Sequence, residues 1–350
     1  MSDTRKFFFY LLILLGTLLI LATLGSLVAD EQWWWVKVLD FPRIQVLIAL
    51  VMVLVLFLLV QKDRDRHMDE DRYITRDRED KGGIWKASFI VGLVAAVVLQ
   101  CIYLYPYTGM AEEQVGSVAE EAADPDATVS VLVVNVKMHN RESVGLLRMI
   151  DELNPDVVLA IEPNAWWEDV LEPVDEKYAY GMEHPLGNTY GMILYSKFPL
   201  RDPEILFLST DSVPSFHTGL ELPGGRTVKF HGVHPTTPFP SGPGTVEDRE
   251  VALVKVGQMV TNTAVPAIVA GDFNDVSWAQ RERLFDGAGL LHDTRVGRGI
   301  YPTFGAKNPI MRWPLDYVYV TEDFGVVALE RLPDFGSDHF PFYAKLSLKP

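Results

Sequence analysis

Residues 267–275 read AIVAGDFND, an apolar run from Ala267 to Ala270 that breaks at Gly271 into Asp272, Phe273, Asn274 and Asp275. A buried strand interior tolerates no unpaired charge, whereas its end can present one, so this stretch predicts a strand that delivers an acid and an amide to a site. The pattern recurs along the chain. Asn135 follows Val131-Leu132-Val133-Val134, Glu162 follows Val157–Ile161, and His234 follows the run from Val228 to Val233. Asp316 opens Asp316-Tyr317-Val318-Tyr319-Val320, and Asp338-His339 lies inside Gly336–Phe340. Further β-rich runs are Val129–Val136, Gly191–Tyr195, Thr227–Val233 and Phe342–Leu348. Helical spacing lies between them, at Ser143–Leu153 (Val144, Leu147, Ile150, Leu153) and Glu247–Val260. Strands mixed with helices in one large domain indicate an α/β layered architecture.

Six strand ends carrying Asn, Glu, His, Asp with Asn, Asp, and Asp with His describe a convergent site rather than a core, where charges are rare unless paired. Carboxylate and amide oxygens without thiolates suit magnesium or manganese better than zinc. Taken alone, GDFND also fits a turn capped by its own Asp and Asn, and Asp316 also fits a salt-bridged strand start. It is the series that favours a site. His231 has the opposite strand parity to His234 and is expected on the other face of the sheet, in a structural role. His139 and Asn140 fit either a pocket wall or a helix cap, Trp166-Trp167 fits helical packing better than a ligand surface, and His184, His217 and His292 have no motif around them.

The N-terminal third differs in kind. Phe7–Ala29, Ile44–Gln61 and Ala87–Ala111 carry no charge, and each reaches the length of a bilayer crossing; the third span is expected at about 87–107. Arg5 and Lys6 before an apolar run ending in Leu-Val-Ala would also fit a cleaved leader, but the run is too long for one and two more spans follow. Ten Lys and Arg in the N-terminal tail and the loop Lys62–Lys86 face two, Lys37 and Arg43, in the intervening loop. Cationic loops stay cytoplasmic, so three crossings leave everything after residue 111 outside. Trp33, Trp34 and Trp35 suit the headgroup level. The organisation expected is a membrane domain at 1–111, an acidic linker at 112–128 with the composition of a tether, and a catalytic domain at 129–350. The single cysteine, Cys101, excludes an intrachain disulfide, and 48% hydrophobic residues in 350 exclude a disordered or fibrous chain.

The ordered series VVNV, AIEPN, GMILYSKFP (191–199), GVHP, GDFND, PTF with Thr303, LDYVYV and GSDHFP resembles the endonuclease/exonuclease/phosphatase superfamily over about residues 129–350. The resemblance implies a four-layered α/β/β/α sandwich of the DNase-I type, here preceded by three transmembrane helices, and a metal-dependent hydrolase of phosphate esters. It assigns Glu162, Asn135 and Asp338 to the metal (Mg2+ or Mn2+) and Asn135, Asn274 and His234 to substrate phosphate. Asp272 would orient or deprotonate water, Asp316 would pair with His339, and His234 would touch the phosphate or leaving group.

From Pro106 onward the chain holds 19 Lys and Arg against 35 Asp and Glu, so the whole net charge of −16 falls on the catalytic part. Nucleic-acid binders show a basic footprint, which this acidic domain lacks, so DNA or RNA is disfavoured without being removed. The apolar spans point to a phosphate carried by a lipid. The layout resembles bacterial membrane members connected with teicoplanin resistance, for which a lipid-carrier pyrophosphate is the implied substrate. The expected partners are therefore the bilayer and a phosphate ester, with no obligate protein partner, and the expected location is the bacterial cytoplasmic (inner) membrane, multi-pass, with an extracytoplasmic catalytic domain. The alternatives are a tethered extracytoplasmic nuclease and a non-catalytic scaffold. The intact Glu162, Asp272, Asn274 and His339 oppose the scaffold.

Overall fold

Strand β1 (Thr128–Asn135) is buried along its whole length, and its two faces feed different cores. Val129, Val131 and Val133 join a core built from both sheets, with Leu159, Phe216, Phe230, Ile268 and Val318. Leu132 and Val134 face the other way, onto Leu146 and Ile150 of helix α5 (Val144–Leu153) and Trp167 and Leu171 of α6 (Ala165–Asp175). A third core sets Val233 and Val269 against Leu253, Val256 and Val260 of α7 (Val246–Thr261). Three cores between four layers make the α/β/β/α sandwich that the family resemblance implies. In this computed structural model the described residues are 3–28, 33–69, 79–238, 246–280 and 290–349, and the chain divides into two compact units, Met1–Tyr105 and Pro106–Pro350.

In the second unit one sheet runs β11 (Phe324–Arg331), β12 (Phe342–Leu348), β1, β2 (Val157–Ile161), β4 (Met192–Ser196), β3 (Tyr180–His184). The other runs β5 (Leu200–Leu206), β6 (Ser215–Glu221), β7 (Thr227–Val233), β8 (Ala267–Asp272), β10 (Asp316–Val320), β9 (His292–Asp293). Each sheet has one parallel pair, β1 with β2 and β7 with β8, joined by a crossover carrying α5 or α7. A parallel pair brings two carboxyl ends to the same edge, which is where open α/β sheets place ligands. Asn135 and Glu162 therefore leave one sheet side by side, as do His234 and Asp272 from the other. β10 runs antiparallel to β8 with Asp316 directly opposite Asp272. Local signals fix the helices: the Asn164 side chain caps α6 by accepting from the Trp167 N–H, and Asn154 ends α5 in the left-handed region at φ 46°.

The stretch 112–128 differs from the expected tether. Val115 is buried in the inter-sheet core, Ser117 bridges Val326, and Arg298 donates to the Val115 carbonyl and the Ser117 hydroxyl. Two apolar anchors, Val115 and Ala127, and the Arg298–Glu113 ion pair hold an otherwise acidic segment against the domain.

In the first unit, α1 (Asp3–Gly25), α3 (Arg43–Asp69) and α4 (Glu79–Leu104) pack together, with a one-turn α2 (Trp34–Lys37) between the first two. Three helices here, Asp3–Gly25, Arg43–Lys62 and Gly83–Tyr107, are long and apolar enough to cross a membrane. Phe9, Leu12, Leu50, Phe57 and Leu93 face inward while Leu14, Leu18, Leu21, Met52 and Val91 face outward, and helices apolar on every side suit a lipid surround. At one end of this bundle Arg43 is buried. Its guanidinium donates to Gln100 Oε1 and Ser26 O, pairs with Asp40 and lies 3.9 Å over the Tyr103 ring, while Gln100 donates to Thr23. The expected end of the first span at Ala29 and the middle of the charged loop, residues 70–78, lie outside the described residues.

Candidate active site

Three strand ends from the two sheets meet through one amide. The buried Asn135 donates from Nδ2 to Glu162 Oε1 at 2.9 Å and to Asp272 Oδ2 at 3.0 Å, so it ties a carboxylate of one sheet to a carboxylate of the other. Its Oδ1 accepts from the Lys137 N–H at 2.9 Å. Asp272 is 1% exposed, and its Oδ1 accepts the Asn274 N–H at 2.8 Å. The strand can release Asp272 there because Gly271 sits at φ +150°, where an added Cβ would lie 1.8 Å from the Val233 carbonyl oxygen; no other residue fits between β7 and β8.

His339 closes the cluster. Its Nδ1 is 2.8 Å from Asp316 Oδ2 and its Nε2 is 3.6 Å from Asp272 Oδ2. Ser337 braces it by accepting the His339 N–H while donating to the Asn135 carbonyl. Thr303 of the PTF motif accepts the N–H groups of Leu315 and Asp316, which makes it the holder of Asp316. Burial alone would discharge His339, but Asp316 and Asp272 outweigh it and raise its pKa to about 10, so it is an imidazolium at neutral pH. His234, 3% exposed, goes the other way: burial lowers it to about 4 in spite of Asp272 at 3.9 Å, and it stays neutral with its ring against Tyr190. Burial raises Glu162 to about 7, opposed by Asn135 and His339 and assisted by Asp272, and it raises Asp272 as well, opposed by His339.

The structure thus joins Asn135, Glu162, Asp272, Asp316 and His339 in one network, with His234 beside it. Asn274 is adjacent, and one N–H of its side chain goes to the Pro235 carbonyl at 2.9 Å. Asp338, expected at the metal, is instead paired with Lys137 Nζ at 2.8 Å and is about one-third exposed. His231 points away and meets His217, as parity predicts. Trp167 is fully buried under β1 and β2, and Asn140 Oδ1 accepts the Glu142 N–H in a local turn. Two residues at the site escaped the sequence reading. Lys137 follows Asn135 by two positions in a left-handed conformation, and Tyr190 lies immediately before the quoted GMILYS run.

Three carboxylates, Glu162, Asp272 and Asp316, surround a single imidazolium, and Asp316 Oδ1 is buried with no partner among the described residues. Excess buried negative charge of this kind fits a divalent cation held by oxygen donors. Among the described residues, ligand atoms of Asp272, Asp316 and His339 converge within 4.8 Å, a group that includes neither Glu162 nor Asp338.

A profile of the Endonuclease/Exonuclease/phosphatase family matches residues 132–339, a span that begins in β1 and ends at His339. The chain belongs to this family. Its members are phosphoester hydrolases dependent on divalent metal. No curated protein sequence matches the chain. Solved structures share the family fold: D. rerio TDP2 complexed with single-strand DNA product aligns at 17% identity over 63% of this chain and 100% of that one, TM-score 0.52. The human Nocturnin catalytic domain with bound sulfate aligns at 17% over 65% and 96%, TM-score 0.52. A family protein from Bacteroides vulgatus aligns at 17% over 63% and 99%, TM-score 0.51.

Proposed function

We propose that this chain is a membrane-anchored hydrolase that cleaves the phosphate ester or pyrophosphate of a lipid, with its catalytic unit outside the cytoplasm and magnesium or manganese as its cation. The observation that carries the reading is the pairing, in one chain, of the buried Asn135–Glu162–Asp272 and Asp316–His339 network with three helices of bilayer-crossing length. The acidic catalytic unit supports a lipid over a nucleic acid, and the burial of Lys37 and Arg43 strengthens the cationic asymmetry behind the orientation.

The residues divide the work by charge. Asp272, oriented by Asn135 and the Asn274 N–H, aligns a water on phosphorus and takes its proton as the new P–O bond forms, while the opposite P–O bond breaks and its leaving oxygen takes a proton from solvent water. The His339 imidazolium, fixed by Asp316, faces a non-bridging oxygen and counters the charge that grows there. The free N–H of Asn274 steadies a second oxygen, and neutral His234 offers a hydrogen bond without adding charge. Glu162, held by the Asn135 amide, would bind the cation, which would supply further charge neutralisation to the phosphoryl oxygens.

The test is a substrate panel on the full chain in detergent with magnesium: a prenyl pyrophosphate, a phospholipid, a sugar phosphate and plasmid DNA. Turnover is expected to be highest on one of the lipids. Faster cleavage of DNA than of either lipid would replace this reading with a tethered nuclease.

A further inference from the structure

Beside His339 stands a loop that the chemistry above does not use. Phe304 forms an antiparallel bridge with His339, with ring centroids 5.0 Å apart, and stacks on Trp313 at 5.7 Å and 6°. Phe304 and Trp313 exchange backbone hydrogen bonds and form a neck, from which residues 305–312 project. The tip is rigid. The Gly305 and Ala306 N–H groups both donate to the Asp338 carbonyl, Gly305 has φ +85° with no room for a Cβ against the Met311 carbonyl, and Asn308 Oδ1 accepts the N–H groups of Ile310 and Met311. What this rigid tip presents is apolar: Ile310 is 73% and Met311 49% exposed. Lys307 and Arg312 flank them, Lys307 paired with Asp334 and Arg312 over the Phe340 ring. A packed, hydrogen-bonded loop that holds two large apolar side chains in water beside a catalytic histidine has the form of a docking element.

We propose that this tip enters the lipid–water interface, with Ile310 and Met311 among the acyl chains, and so brings a bilayer-borne phosphate to His339. The inference rests on the lipid-phosphate reading above. Three features select a bilayer as the occupant. Among the described residues, three helices reach crossing length, and the last of these ends at Tyr107. The hydrogen bonding of the second unit begins at its first residue, with the Pro106 carbonyl accepting the Gly297 N–H, next to the last residue of that helix in sequence. Arg312, beside the apolar tip, suits a lipid headgroup phosphate.

The experiment uses the full chain in vesicles of phosphatidylcholine and phosphatidylglycerol. Ile310→Ser/Met311→Ser is compared with the parent on a prenyl pyrophosphate in the vesicle and on water-soluble bis(p-nitrophenyl) phosphate. Loss of these apolar contacts is expected to lower vesicle turnover about tenfold, equivalent to about 1.4 kcal/mol, with soluble turnover within about twofold, which also certifies the fold. Equal turnover of parent and variant on the vesicle substrate overturns the proposal, as does a defect confined to DNA cleavage. A spin label at Met311→Cys in a Cys101→Ser background separates the two readings. If no lipid is cleaved but the label is more accessible to oxygen than to a water-soluble nickel complex, docking stands and the substrate reading falls. A label in water overturns docking whatever the substrate.

Discussion

Among the described residues, buried His339 and the buried pair His217 and His231 end in opposite charge states. His339 lies between Asp316 and Asp272 and is a cation, with its pKa raised to about 10 against the effect of burial. His217 and His231, directly opposite one another on β6 and β7, have no carboxylate among the groups that perturb them, and burial lowers them to about 4 and about 3. Hydrogen bonding fixes how the neutral pair is arranged. Ser215 donates to the Leu206 carbonyl, so it accepts from His217 Nε2, and His217 Nδ1 is left to accept from His231 Nδ1–H at 2.7 Å. Burial sets the cost of charging an imidazole; a single carboxylate 3.9 Å from His234 does not meet it, whereas Asp316 and Asp272 together do at His339.

Removing the cation is the most severe way to test that contrast. EDTA is expected to abolish turnover and magnesium or manganese to restore it; activity that survives exhaustive chelation would break the oxygen-donor reading of the site. Next in size, Asp272→Asn and His339→Ala are each expected to cost at least about a hundredfold in turnover with folding preserved by circular dichroism, and the double variant to lose less than the product, since both serve one transition state. A full multiplicative loss would show that the two groups act separately.

Asp316→Asn sharpens the comparison, because it makes His339 resemble the outer pair. Without that carboxylate the imidazolium loses its main support, so the alkaline limb of the pH–rate profile is expected to move from near the His339 pKa of about 10 toward neutrality, with turnover at pH 8 falling about tenfold to a hundredfold. An unmoved limb would show that Asp316 does not set the charge. The smallest effect belongs to the outer pair. His231→Ala is expected to change stability by about 1 kcal/mol and turnover little.

The same pair sets an acid limit on stability. His217 and His231 are neutral when folded, and both have pKa values below the ordinary 6.5. The unfolded chain then binds protons that the folded chain refuses, and stability is lost as pH falls from about 6.5 toward about 4. Melting temperatures between pH 7 and pH 5 are expected to fall less steeply in His231→Phe than in the parent.

Asn135, Glu162 and Asp272 were legible in the sequence because each one follows an uninterrupted apolar run, and such a run can leave its last polar side chain only at a strand end. Their assembly into one network depends on parallel pairing in both sheets, which the linear order suggests only through resemblance. Tyr190 was hidden because a tyrosine before a β-rich run reads as core, and Lys137 because one lysine beside an asparagine carries no pattern. β5 was missed for a physical reason: it contains Arg201, Asp202, Pro203 and Glu204, the residues of a solvated edge rather than of a buried strand. Composition misjudged 112–128, since Val115 and Ala127 suffice to anchor a stretch whose average is acidic. Parity placed His231 away from the site, but only the antiparallel register of β6 and β7 brings His217 opposite it.

Lys137, Glu162 and Asn274, each within two positions of a strand end, have φ of 56°, 63° and 52°. A side chain in that region costs about 1–2 kcal/mol that glycine would not incur, and less for asparagine, so three positions around the candidate site are less stable than they could be. A library of variants sorted by heat resistance alone should drift toward glycine at these positions and accumulate well-folded, inert proteins. Sorted by turnover, the same library should retain the strained residues and compensate elsewhere, which makes these three codons a readout of which pressure a population has experienced.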